Sequence, residues 1–179
     1  MLRDVLLTIA EAGICQIRWS HDVLDEMERN LSERANAPSA KQAVDGAQYV
    51  RQLMEDAFPD AMVPPRAYRT LVSAMTNDEK DRHVLAAAIA CRADVLVTAN
   101  TRDFPASACD PFGIDVQDPD TFLVHQFELA PERFLETLEV LASERHDPMA
   151  SVDGILQTLA GVTPRFREQA LRAWNRKRL

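Results

Sequence analysis

An α/β domain with a parallel sheet, followed by an α-helical extension, is the fold class this sequence predicts. Three observations carry that reading. Val95-Leu96-Val97-Thr98 is a short run apolar on both faces, as strands buried in a parallel sheet are. Capped helical segments flank it on the N-terminal side. From Asp118 onward only helical signals remain, so the α/β part spans residues 1–128 and the helical extension residues 129–179.

The elements follow in order. Leu2, Val5, Leu6, Ile9 and Ala10 recur at helical spacing, and Gly13 is a helix stop. Residues 14–19 are short enough to be extended. Ser20 is the N-cap of a helix that carries Val23, Leu24, Met27 and Leu31 on one face. Ser39 with Gln42 makes a capping box for a helix running to about Ala57. Ala61-Met62-Val63 is a short strand, and Pro65 opens a helix through Tyr68, Leu71, Val72 and Met75. Thr76 with Glu79 forms a second capping box, starting a helix that runs through Arg92. Residues 114–116 are a weaker strand. Pro119, Pro131 and Pro164 stand where first helical turns begin, and Gly161 where one ends.

Composition bounds the function. With 179 residues, 46% of them apolar, the chain suits one globular domain with an appendage. A net charge of −8 argues against a nucleic-acid coat or a membrane-surface protein. An enzyme acting on nucleic acid needs only a local basic groove, so that class stays open. No apolar run approaches the roughly 18 residues of a membrane span, and the N-terminus lacks a secretory signal pattern. Cys15, Cys91 and Cys109 form no CxxC pair, which suggests reduced thiols in a cytoplasm. The His and Cys residues lack the spacing of a structural zinc site.

Two carboxylates stand out. Asp81 lies at a helix start, where an acid also serves simply to complement the helix dipole. Asp103 follows an apolar strand, at the edge where open α/β sheets place ligands, although acids are equally ordinary turn residues. Glu26 is a third candidate, but Asp22, Asp25 and Glu28 share its helix and position alone does not separate them. Asn100, Thr98 and Ser20 are polar residues near these acids in the chain.

The stretches Trp19-Ser20-His21-Asp22-Val23-Leu24-Asp25-Glu26, Lys80-Asp81-Arg82-His83-Val84-Leu85-Ala86-Ala87-Ala88 and Val97-Thr98-Ala99-Asn100-Thr101-Arg102-Asp103-Phe104-Pro105 together resemble PIN-domain nucleases. The likeness is to the branch that includes VapC-type toxins and covers residues 1–128. Three motifs in the same order make it specific. The resemblance implies a Rossmann-like α/β/α sandwich and a Mg²⁺- or Mn²⁺-dependent ribonuclease. It implies Glu26, Asp81 and Asp103 as metal-site and catalytic carboxylates. Ser20, Thr98 and Asn100 would be polar neighbours of the bound ion, Asn100 standing near an additional Asp of many members. The implied partners are an RNA substrate, a small antitoxin protein and a second copy of the chain.

One departure is plain. The family's first acid is an Asp ending a central first strand, and this sequence has neither; Asp4 falls inside a helix. The chain thus reads as a truncated member or one with its start codon set too far downstream. Loss of one acid is expected to weaken metal binding. Loss of a central strand leaves unpaired backbone groups in its neighbours, at about 1–3 kcal/mol each if buried. The alternative function is therefore an N-terminally truncated, catalytically impaired module that binds RNA or a protein partner. A DNA-acting α/β domain is a weaker third reading.

The end of the chain, Arg172 to Leu179, is its basic cluster; contact with RNA is one reading of it, and a frayed, charged terminus the expected one. The two helices predicted before it are a common packing unit, and also the form of a helix-turn-helix reader. Phe134, Leu138 and Leu141 are expected to dock the extension on the α/β part.

Overall fold

The computed structural model describes residues 1–144 and 151–178. Residues 145–150 and Leu179, which belong to the expected extension and its basic end, lie outside the described residues. In chain order the elements are α1 (Leu2–Glu11), β1 (Trp19–Ser20), α2 (His21–Arg34), α3 (Ala40–Ala57), β2 (Met62–Val63), α4 (Pro65–Tyr68) and α5 (Arg82–Ala90). They continue with β3 (Val95–Val97), α6 (Ala106–Cys109), β4 (Asp115–Gln117), α7 (Pro119–Leu129), α8 (Pro131–Glu144), α9 (Val152–Leu159) and α10 (Pro164–Lys177). The fold is α/β with C-terminal helices, as the sequence predicts.

The elements group into two compact units that are not consecutive in the chain. One contains Arg18–Leu96 and Arg102–Val116, the other Met1–Ile17, Val97–Thr101 and Gln117–Leu179. A division along the chain at residue 128 therefore has a different outline from the compact units.

In the α/β unit, β1 and β2 pair in parallel, Trp19 opposite Met62 and Ser20 opposite Val63. Trp19 N–H also donates to Ala61 O at 3.0 Å, and its ring meets Phe58 edge-on at 5.9 Å. β3 pairs with β4 as a second two-stranded sheet. Asp115 N–H donates to Asp94 O, and Thr98 N–H to Gln117 O between residues grouped with the other unit, the step of a parallel ladder. Among the described residues no strand joins the two pairs. The core of this unit is Val63, Tyr68, Leu85, Ala86, Leu96, Phe104, Cys109 and Ile114, all buried.

Local chemistry explains most element ends. Gly13 takes φ +69°, a left-handed conformation that costs glycine little and stops α1. Ser20 Oγ accepts from Val23 N at 3.2 Å and Ser39 Oγ from Gln42 N at 3.2 Å, so both expected caps form. Two expected helices are shorter. The one opening at Pro65 ends at Tyr68, with a separate 3-10 turn over Val72–Ala74. The one expected from Thr76 begins only at Arg82, after a 3-10 turn over Glu79–Asp81. The physical reason lies at Asp78, whose Oδ1 accepts from Lys80 N at 3.0 Å and holds the chain in a tight turn instead.

In the other unit, Val5 and Ile9 of α1 are fully buried and α1 packs on α8. Phe134, Leu138 and Leu141 are buried on α8, as docking residues should be. Phe127, Phe134 and Phe166 form a three-ring cluster with centroids 5.1–6.0 Å apart, joining α7, α8 and α10. Each such pair is worth about 0.5–1.5 kcal/mol beyond its area. The basic end is not frayed up to Lys177, and Arg172, Lys177 and Arg178 of it have acidic partners. Lys177 reaches Glu139 at 2.7 Å, while Arg178 and the Trp174 indole N–H both reach Asp153 at 3.2 Å.

Asp120 is the buried polar link of this unit. Its carboxylate accepts from Phe166 N at 2.8 Å, Arg165 N at 3.2 Å and Arg165 Nε at 3.0 Å, closing the first turn of α10. The negative charge also complements the helix N-terminus. Asp120→Ala would strand those donors, at about 2–4 kcal/mol. Urea denaturation should show that loss as a lower midpoint with an unchanged slope.

Candidate metal centre

Asp103 reaches the α/β unit's acidic cluster through a backbone bond. Asp78 N–H donates to Asp103 O at 3.2 Å, tying the 3-10 turn over Thr101–Asp103 to the turn before α5. Asp81 N–H donates to Asp78 O at 3.0 Å, closing that second turn. As a result carboxylate oxygens of Asp78, Asp81 and Asp103 lie within 4.8 Å of one another. Oxygens on one Mg²⁺, each at about 2.1 Å, stand at most about 4.2 Å apart. Only a small closure would bring the three onto one ion.

Asp81 occupies the N-cap position of α5 but makes no side-chain cap bond. Its carboxylate faces other acids instead. Burial pushes its pKa above the usual carboxylate value, and a hydrogen bond with Asp103 and the charges of Asp103, Glu26 and Asp78 push it the same way. A cation between these groups would relieve the repulsion. Asn77, next to the cluster in the chain, is buried with neither Oδ1 nor Nδ2 hydrogen-bonded. Buried amides without partners commonly mark a site completed by water or an ion.

Glu26 is singled out by its neighbours on α2. Asp22 accepts from Tyr68 Oη at 2.6 Å. Asp25 and Glu28 are both bound by Arg51 of α3, at 2.5 Å and 3.2 Å. Arg51 also holds Glu55 at 3.1 Å, and these acids keep its guanidinium firmly charged. Glu26 is left to face α5, where its Oε1 stands 3.5 Å from His83 Nε2. Its charge is among those acting on Asp81.

The other expected residues are engaged locally. Ser20 is fully buried, capping α2 and interacting with the Tyr68 hydroxyl. Thr98 and Asn100 belong to the other compact unit, where Asn100 N–H donates to Thr98 Oγ1 at 3.1 Å. Arg82 turns its Nε to Asn77 O at 3.4 Å, and among the described residues it makes no ion pair with Asp81. Asp78 is the member that sequence reasoning missed. The available signal was its place three residues before Asp81.

An α/β unit with an all-carboxylate cluster at the strand-following loop defines a class that the family comparison identifies. Residues 2–102, more than half the chain, match the PIN domain, and the chain belongs to that family. Glu26, Asp78 and Asp81 fall within the matched stretch, and Asp103 follows its last residue. Residues 119–172 match the VapC50 C-terminal domain. The chain is similar to the Mycobacterium tuberculosis (strain ATCC 25618 / H37Rv) protein named "Putative ribonuclease VapC50", with 38% identity over 105 residues. That alignment covers 59% of this chain and 62% of the relative, so the chain matches less than two thirds of the relative's length. No solved structure matches.

The raised pKa of Asp81 has a signed consequence for stability. Its proton is held more tightly in the folded than in the unfolded chain, so the stabilising contribution is complete below the unfolded value of about 3.9. It is lost as pH rises through the folded value, leaving a constant penalty at neutral pH. Without added metal, Asp81→Asn should therefore melt higher at pH 7, by something of order 1–3 °C. Thermal melts at pH 7 and pH 3.5 check this, with the advantage expected only at the higher pH.

Proposed function

We propose that the chain is a divalent-metal-dependent endoribonuclease of the VapC type, acting on RNA phosphodiester bonds. The carrying observation is the cluster of Asp78, Asp81 and Asp103, with oxygens within 4.8 Å and Asp81 already under repulsive load. An all-oxygen anionic donor set suits a hard cation, Mg²⁺ or Mn²⁺. Asp81 and Asp103 would hold the ion, with Glu26 and Asp78 completing the acidic wall. Bound there, the ion would lower the pKa of a water and stabilise charge on the phosphate.

The chain's own residues would do the rest. Asp81 and Asp103 share a hydrogen bond, so they can hold a proton between them until a cation displaces it. Lys80 and Arg102 are exposed and adjacent to the site acids in the chain, available to neutralise RNA phosphates. Family membership and the name of the mycobacterial relative support RNA as substrate. A small antitoxin as the silencing partner, in a cytoplasmic toxin–antitoxin pair, is expected on the resemblance to VapC-type toxins. A second copy of the chain is expected on the family resemblance alone. Among the described residues no helix is long and apolar enough to cross a membrane.

Purified protein should cleave single-stranded or structured RNA with Mn²⁺ or Mg²⁺ and stop on addition of EDTA. Asp81→Asn and Asp103→Asn should each lower the rate by at least about 100-fold, beyond the 10–100-fold that loss of an outer partner costs. Equal rates in wild type and both variants would mean that the acids are assigned wrongly. Asp81- and Asp103-dependent Mn²⁺ binding without cleavage would favour the impaired binding module. Cleavage of matched DNA in preference to RNA would move the substrate.

A further inference from the structure

We infer that His83 is a positioning residue for Glu26, holding that carboxylate toward Asp81 and Asp103; this rests on the metal-site reading above. Glu26 is otherwise poorly constrained. Its side chain is 41% exposed, and among the described residues no cation of lysine or arginine pairs with it. A glutamate so placed samples many rotamers, each costing the site entropy when an ion binds.

His83 differs in this respect. Its side chain is 16% exposed, it lies two residues beyond Asp81 on α5, and α5 packs on α2. Its Nε2 is buried and stands 3.5 Å from Glu26 Oε1. That separation is too long for a hydrogen bond, and among the described residues Nε2 makes none. A buried N–H without a partner costs about 1–3 kcal/mol, so the Nε2–H tautomer has a standing reason to draw Glu26 inward. Asp81 and His83 leave the same helix start, so a ring anchored there gives Glu26 a fixed reference to the acid it must join. The neutral imidazole suffices for this role; it needs only its Nε2–H.

Mn²⁺ titration calorimetry on the full chain tests this, with melting curves confirming that each variant folds. His83→Ala should weaken Mn²⁺ binding by roughly 10-fold, the lower end of what an outer hydrogen-bond partner contributes. His83→Leu, which keeps bulk and removes the donor, should do the same and serves if the alanine variant does not fold. His83→Gln, which retains a donor, should bind within about threefold of wild type. In a Glu26→Ala background, which removes the acceptor, His83→Ala should have no further effect. Wild-type binding that needs Asp81 and is unchanged in His83→Ala and His83→Leu overturns the inference alone. So does an equal His83 effect with and without Glu26. No Mn²⁺ binding by wild type, or binding indifferent to Asp81→Asn and Asp103→Asn, overturns the metal-site reading and this inference with it.

Discussion

One backbone hydrogen bond organises the candidate site. Asp78 N–H to Asp103 O joins the turn before α5 to the turn after β3, two segments some twenty-five residues apart in the chain. The tie works against the mutual repulsion of the ionised acids, which in the absence of a cation pushes them apart. The bond is made by peptide groups, so the fold rather than the side chains bears the cost of assembling like charges. The turn's own closure, Asp81 N–H to Asp78 O, then brings the third acid to the same edge.

That arrangement sets stability against chemistry. A raised pKa at Asp81 means that part of the folding free energy is spent keeping an anion where burial and three other acids oppose it. Functional sites are where such perturbations concentrate, and a cation is the natural counterweight to this one. The unsatisfied amide of Asn77 fits the same pattern, a polar group left without a protein partner beside the acids. The helical unit is built differently. There the buried carboxylate among the described residues, Asp120, is matched by donors at the start of α10.

The acids of α2 show how neighbours sort residues of one type. Asp22, Asp25, Glu26 and Glu28 lie within two helical turns and are chemically near-equivalent in the chain. Tyr68 takes Asp22, and Arg51 takes Asp25 and Glu28. Glu26 alone is turned to α5, where His83 and the Asp81 charge meet it. Each assignment depends on a residue more than twenty positions away.

By itself the sequence determined the helices with strong local signals: the serine caps of α2 and α3, the proline starts of α7, α8 and α10, and the stop at Gly13. Those signals act within a turn, through one hydrogen bond or one fixed φ, and need no distant partner. It also carried the α/β class and the motif acids Glu26, Asp81 and Asp103. Tertiary structure decided what depends on distant contacts. It delayed α5 to Arg82 through the Asp78 turn, and it added Asp78 to the cluster. It also grouped α1 with the C-terminal helices, because Val5 and Ile9 find their buried surface there. Pairing of the strands into two parallel couples was likewise a tertiary matter, since two- and three-residue strands carry almost no pattern of their own.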